Sequence, residues 1–329
     1  MPHASTIVIM KAMLPLLVLS LALSGQDPVI KVDVDLVNVL CSVRNKNNGL
    51  VGNLEKSDFK LLEDGKEMEI KYFTRETDLP LTIGMLVDTS KSQENLIEPE
   101  SRAAYEFFKV VLRKKDMAFL MQFGAEAELL QDDTNSAKML QDGLRQLRLS
   151  VPLGGLHPGP VPTQQNMAGT ILFDAVYLAA NEKLKGEVGR KVIVVITDGD
   201  DTGSKTPRDR ATEAAQKADT IIYFIDYEDP RYHGGGFGTI RLGGGGSGDA
   251  DMHKMSNETG GRVFRVDRKN TLDDIFKDLQ DEMRSQYSIG YTSPHPQKDG
   301  SYHKIEIRTS NKDYKVQARK GYYSIPQDN

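Results

Sequence analysis

Hydrophobic and polar positions change rhythm twice along this chain. Up to about residue 77 they alternate. Val32, Val34 and Leu36 are separated by Lys31, Asp33 and Asp35, then the phase slips and Val37, Val39, Cys41 and Val43 carry the pattern. A period of two means strand, and the one-residue slip predicts a bulge or sheet crossing near Leu36. Asn45 to Gly49 is a turn cluster; Phe59–Leu62, the turn Glu63-Asp64-Gly65 and Ile70–Phe73 read as further short strands. After Pro80 the apolar runs become nearly continuous: Leu81–Val87, Met117–Phe123, Val192–Ile196, Ile221–Ile225 and the shorter Val263–Val266. Strands buried on both faces in a parallel sheet read this way. Between them Ala103/Ala104, Phe107/Phe108 and Val111/Leu112 recur at helical spacing. So do Leu172, Ala175/Val176 and Ala179, then Leu272, Ile275/Phe276 and Leu279. At Phe123-Gly124-Ala125 two strand signals meet with no helix between them, which predicts a hairpin and one antiparallel edge strand. The fold class is therefore α/β, with a doubly wound, mostly parallel sheet.

Alternation returns at Tyr287, Ile289 and Tyr291, then at His303, Ile305 and Ile307, then at Tyr314, Val316 and Ala318. These strands have no core of their own. Pairing them with the strands before residue 77 makes a small β-sandwich, with the α/β domain inserted between its two halves. The expected boundaries are 25–77 and 284–329 for the halves and 78–283 for the insert. Two irregular stretches interrupt the insert, Ser150–Met167 with four prolines and Gly234–Gly248 with two glycine runs. The second lacks the helix-opening fingerprint of a phosphate cradle and reads as a mobile loop.

Composition narrows the function more than it names it. The net charge of -5 over 329 residues offers no basic face for nucleic acid. Lys11 precedes an apolar run, Ala12–Leu23, too short for the ~20 residues of a bilayer span but suited to a secretory leader. Ala22 and Ser24 are the small residues of a cleavage site, so residues 1–24 are expected to be a signal peptide. The protein is then secreted, periplasmic or held in the cell envelope, with no membrane span after cleavage. Cys41 is the only cysteine, which excludes an intrachain disulfide, and its place among Val37, Val39 and Val43 predicts a buried thiol. The six histidines show no metal-ligand spacing, and there is no nucleophile-elbow serine, HExxH or Walker loop.

The candidate chemistry lies at the strand ends. Asp88-Thr89-Ser90-Lys91-Ser92 follows the first apolar run and brings one carboxylate and two hydroxyls into a single turn. These are hard oxygen donors of the kind Mg²⁺ takes. In a doubly wound sheet, ligands bind beyond the carboxyl ends of the strands, where strand order reverses. Thr197-Asp198-Gly199 follows the Val192 run, and Gly169-Thr170 opens the helix of Leu172. The topology thus converges Asp88, Ser90, Ser92, Thr170 and Asp198. Taken singly, Ser90–Gln93 also fits a capping box, Thr170 an N-cap and Asp198-Gly199-Asp200 a plain turn. Asp200 and Asp201 read as solvated loop acids, and Asp226 is on the right edge without a role.

DTSKS, Gly169-Thr170 followed by Phe173-Asp174-Ala175, and Ile196-Thr197-Asp198-Gly199 resemble the metal-ion-dependent adhesion site of von Willebrand factor A-type domains. The resemblance covers roughly residues 78 to 283. The flanks, Phe59–Gly65 and Arg319-Lys320-Gly321-Tyr322-Tyr323, are similar to secreted VWFA-related proteins of the kind abundant in acidobacteria. The resemblance implies Mg²⁺, with Mn²⁺ or Ca²⁺ as alternatives, bound directly by Ser90 and Ser92. Asp88, Thr170 and Asp198 would bind it directly or through water. It also implies a noncatalytic module whose protein partner supplies an Asp or Glu to the metal. Ala168 stands where a second glycine is common. Two rival readings are a metal-dependent phosphohydrolase using Asp88 and an envelope assembly protein whose β-sandwich does the binding. The first lacks the acid/base Asp two residues after its nucleophile, where this chain has Ser90.

Overall fold

The computed structural model describes residues 36–76, 79–150, 169–228, 247–295 and 298–325. The expected leader at 1–24, the alternation before Leu36 and its phase slip, Ala168 and most of the two irregular stretches lie outside them. The strands before residue 80 are β1 (Leu36–Arg44), β2 (Phe59–Glu63), β3 (Lys66–Met68) and β4 (Ile70–Glu76). The central sheet contains β5 (Leu81–Asp88), β6 (Met117–Phe123), β7 (Ala127–Thr134), β8 (Arg190–Thr197), β9 (Thr220–Asp226) and β10 (Val263–Arg265). After it come β11 (Gln286–Thr292), β12 (Tyr302–Thr309), β13 (Lys315–Ala318) and β14 (Gly321–Tyr323). The helices are α1 (Ile97–Val111), α2 (Ala137–Leu144), α3 (Leu172–Leu178, prolonged by a π-helical turn to Leu184), α4 (Arg208–Lys217), α5 (Ser247–Thr259) and α6 (Leu272–Arg284).

The central sheet runs β10-β9-β8-β5-β6-β7, parallel except for β7, which returns antiparallel to β6 through the expected hairpin. Strand order reverses between β5 and β8, which puts the ends of these two strands side by side. Successive residues of β5 face opposite layers. Ile83, Met85 and Val87 pack with α1, α2 and α6, whereas Leu86 packs with α3, α4 and α5. Gly84 is small because a Cβ there would sit 2.3 Å from the Phe119 ring. Three helices escape the sequence reading. In α4 the buried apolar side chains are Ala211, Ala214 and Ala215, too small to stand out against their polar neighbours. Helix α2 is only eight residues long, and α5 begins at Ser247, inside the stretch read as a loop.

The remaining strands form two four-stranded sheets, β13-β1-β11-β4 and β14-β12-β2-β3. β11 lies between β1 and β4, with Val39 opposite Ile289 and Ile289 opposite Phe73, so the strand after the insert joins the two before it. β2 pairs with β12, Leu61 opposite Ile307. Val37, Val39, Cys41 and Val43 all point into this core, and burial pushes the Cys41 thiol up to about 12, an unreactive state. Among the described residues no helix is long and apolar enough to cross a membrane.

Candidate metal centre

β5 ends in a carboxylate with no exposure to water. Asp88 Oδ1 accepts the Ser90 N–H at 2.8 Å, and Oδ2 accepts the Thr197 hydroxyl at 2.6 Å across the β5–β8 junction. Thr197 Oγ1 in turn accepts the Gly199 N–H at 3.0 Å, which folds the chain after β8 back over its own end. Gly199 takes φ +84°, a conformation that favours glycine. The Asp88–Thr197 bond therefore ties the DTSKS turn to the Asp198 turn. Sequence reasoning quoted Thr197 without giving it this task.

Ser90 precedes a single 3₁₀ turn, yet its side chain makes no capping bond to that turn. Its hydroxyl instead hydrogen-bonds that of Ser92 at 3.0 Å. Thr170 is likewise not an N-cap, since that position of α3 is Ile171. The Thr170 carbonyl accepts the N–H groups of Thr202 and Gly203, both at 3.0 Å, which binds the start of α3 to the loop after Asp198. On the other side Ile171 N–H donates to Gly124 O at 2.9 Å, and a Cβ on Gly124 would stand 3.5 Å from Ser90 N. The segments carrying Asp88, Ser90, Ser92, Thr170 and Asp198 are thus joined at one edge of the sheet.

This joint depends on glycine. A Cβ on Gly169 would lie 2.1 Å from Thr202 Oγ1 and 2.7 Å from the Thr202 carbonyl carbon. Gly169→Ala is expected to push these loops apart at a cost of about 1–3 kcal/mol, measurable by urea denaturation. Asp201 belongs to the same joint and is not a solvated acid: Oδ2 accepts the Phe173 N–H at 3.0 Å and the Ser204 hydroxyl at 2.6 Å. Asp174 answers from α3 by accepting the N–H groups of Lys205 and Thr206. Asp200 is exposed. Asp226 is buried and receives Arg265 Nε at 2.6 Å, a structural ion pair.

The electrostatics are those of a site short of positive charge. Burial first, and then the Asp198 carboxylate, push Asp88 up to about 7. Behind it Glu100 is fully buried on α1, with no hydrogen-bond partner among the described residues for either carboxylate oxygen. Burial and the charges of Asp88 and Asp198 hold it well above the usual carboxylate range. Glu100 was missed in the sequence, although it extends the buried stripe Ala103/Ala104, Phe107/Phe108 and Val111 by one turn. A raised native pKa means that the folded state binds more protons than the unfolded chain, where Asp titrates near ~3.9. The Asp88 contribution therefore makes metal-free stability fall as pH rises from about 4 to about 7. Asp88→Asn should flatten that part of the pH profile in EDTA, read as the difference between variant and parent.

Chemically the centre can hold a hard divalent cation. Adjacent oxygens in an octahedron with bonds of ~2.1 Å stand ~3.0 Å apart, and the Ser90 and Ser92 hydroxyls are already 3.0 Å apart. A cation there would also face the charges of Asp88, Asp198 and, farther in, Glu100.

The family model for the von Willebrand factor type A domain matches residues 162–278, a stretch that includes Thr170 and Asp198. No curated protein matches the chain. Similar solved structures include an aerotolerance-related membrane protein from Bacteroides fragilis, at 18% identity over 62% of this chain and 98% of that one, TM-score 0.43. BatB from Bacteroides thetaiotaomicron aligns at 17% identity over 62% of this chain and 97% of its own, TM-score 0.44. Proximal thread matrix protein 1 from the mussel byssus, with a zinc-occupied MIDAS motif, aligns at 13% identity and TM-score 0.47. That match covers 68% of this chain and 50% of the mussel protein. Residues 162–278 thus match the von Willebrand factor type A domain, on a mostly parallel sheet with helices on both faces.

Proposed function

We propose that this protein is an exported, noncatalytic binding module that takes a protein ligand through a divalent cation, Mg²⁺ in the first instance. Ser90 and Ser92 would bind the cation directly, with Asp88, Thr170 and Asp198 completing its surroundings. The observation that carries the reading is the pair of serine hydroxyls, hydrogen-bonded to each other at 3.0 Å, beside a buried carboxylate. Both Asp88 oxygens already accept hydrogen bonds, so Asp88 fits best as a ligand through water. A cation held by neutral hydroxyls retains its attraction for an anion, and a carboxylate from the partner is the natural remaining ligand. The bound metal supplies that attraction. The chain supplies the rigid turn, through Thr197 and the Gly169–Thr202 contact. Export rests on the charged, apolar and small-residue pattern of residues 1–24.

The test is retention of an envelope protein on the immobilised full chain in Mg²⁺, its release by EDTA, and its absence from an Asp88→Ala column. Retention that ignores both EDTA and the substitution would move the binding surface elsewhere, to the β-sandwich.

A further inference from the structure

A second group of metal-ligating side chains lies in the β-sandwich, built from residues about 230 positions apart. Glu63 ends β2, and Asp64-Gly65 makes the two-residue turn into β3 with positive φ at both positions. His303 lies on β12 and His295 in the turn after β11. One ligand-capable atom from each of the four lies within 4.8 Å of the others. His303 Nδ1 is 2.9 Å from Asp64 Oδ2 and 4.0 Å from Glu63 Oε1; His295 Nε2 is 3.6 and 3.9 Å from the same atoms. The imidazoles stack with centroids 4.1 Å apart and planes 14° from parallel, so binding one ion through both nitrogens requires the more exposed His295 ring to turn.

Glu63 shows what the cluster demands. Its side chain has no exposure; Oε1 receives the Ser293 hydroxyl at 2.8 Å and the Tyr322 hydroxyl at 3.1 Å, and the buried Tyr291 hydroxyl faces the same carboxylate. A buried carboxylate held by neutral hydroxyls keeps its full charge, which a cation close by would offset. His303 bridges Ser301 and Asp64, Nε2 2.9 Å from Ser301 Oγ and Nδ1 2.9 Å from Asp64 Oδ2; with the ring proton on Nε2, the Nδ1 lone pair is free to bind an ion. Two carboxylates and two neutral imidazoles carry a charge of −2, which one divalent ion cancels. Bonded imidazoles usually donate their other N–H to an outer partner, the part Ser301 is placed to play.

Imidazole nitrogens select the zinc class over Mg²⁺ or Ca²⁺. With bonds of ~2.0–2.2 Å, tetrahedral ligands stand roughly 3.3 Å apart, within the 2.9–4.0 Å span of these nitrogen–oxygen separations. Asp64 and His295 remain 40% and 43% exposed and give an ion its way in. Asp64, His303 and Ser301 also line up as a carboxylate–imidazole–hydroxyl chain. The amides beside that hydroxyl are committed, however, Gly300 N–H to Ser324 O and Ser301 N–H to Asp299 Oδ1, so they offer nothing to an oxyanion.

We infer that Glu63, Asp64, His295 and His303 form a second metal site, for a zinc-class divalent ion, that clamps the strands before the α/β domain to those after it. The site is independent of the DTSKS turn, so the test uses the untagged, metal-stripped full chain carrying Asp88→Ala. Titration with Co²⁺ is expected to produce the intense visible band of a four-coordinate ion, saturating at one equivalent and bleached by Zn²⁺. Adding His295→Ala, a half-exposed position that spares the buried Glu63, should remove the band and weaken Zn²⁺ binding by at least ~10-fold. Circular dichroism checks that the fold is kept. A protein that develops no such band, or whose Zn²⁺ affinity is unchanged by His295→Ala, overturns the assignment and leaves an imidazolium–carboxylate ion cluster in its place.

Discussion

Millimolar Mg²⁺ is expected to raise the melting temperature of the metal-stripped protein, and Asp88→Ala to abolish that rise. An ion that binds only the folded state stabilises it by RT ln(1 + [L]/Kd), about 2.7 kcal/mol at 100 times Kd. For a folded body of this size that is roughly 4–5 °C. The readout is the increment, not the starting temperature, for a physical reason. In the metal-free protein Asp88 is a buried carboxylate repelled by Asp198, with a third acid, Glu100, behind it. Replacing it by alanine loses the hydrogen bonds to Thr197 and Ser90 but also relieves that repulsion, so metal-free stability can move either way. Only the response to Mg²⁺ isolates the site. A parent protein that melts at the same temperature with and without the ion, or an Asp88→Ala variant that keeps the full shift, would falsify the adhesion-type reading.

Glu282→Ala should be the most damaging single change far from that site, at about 3–5 kcal/mol. Glu282 has no exposure, and its two oxygens gather four donors from three parts of the fold. Oε2 receives Arg44 at 2.6 Å from β1 and Arg262 at 2.8 Å from the start of β10; Oε1 receives Tyr223 at 3.2 Å from β9 and Ser42 at 3.3 Å from β1. Asp278, one turn earlier on α6, contacts the same two guanidiniums. Removing Glu282 leaves two partly buried cations sharing one half-exposed carboxylate, with the Tyr223 hydroxyl unpaired. The penalty is the desolvation of those groups rather than the worth of the pair itself, so Glu282→Gln should cost less. Asp281→Ala, on the exposed side of α6, is the control and should stay within ~0.5 kcal/mol. Urea denaturation of the three variants decides it: equal midpoints for Glu282→Ala and Asp281→Ala would mean that the network contributes nothing.

These charges mark the limit of what a sequence can convey. Continuous apolar runs foretold β5, β6, β8 and β9, and the bare Gly124 junction foretold the antiparallel β7, because periodicity and turn chemistry are local properties of the chain. The DTSKS, Gly169-Thr170 and Thr197-Asp198-Gly199 segments were legible for the same reason: each sits where a strand ends or a helix begins. Helix α4 was hidden because alanine buries without contrast. Glu100 and Thr197 were hidden because an acid on an apolar stripe, or a threonine before an aspartate, carries no mark of the distant partner that gives it meaning. His295 and His303, spaced like no metal motif, meet Glu63 and Asp64 only once β12 has paired with β2. By itself, then, the sequence determined the principal strands, helices α1, α3 and α6 and the segments that carry oxygen donors. The tertiary structure alone decided which buried charges face one another, since burial and Coulomb energy depend on through-space distance and not on separation along the chain.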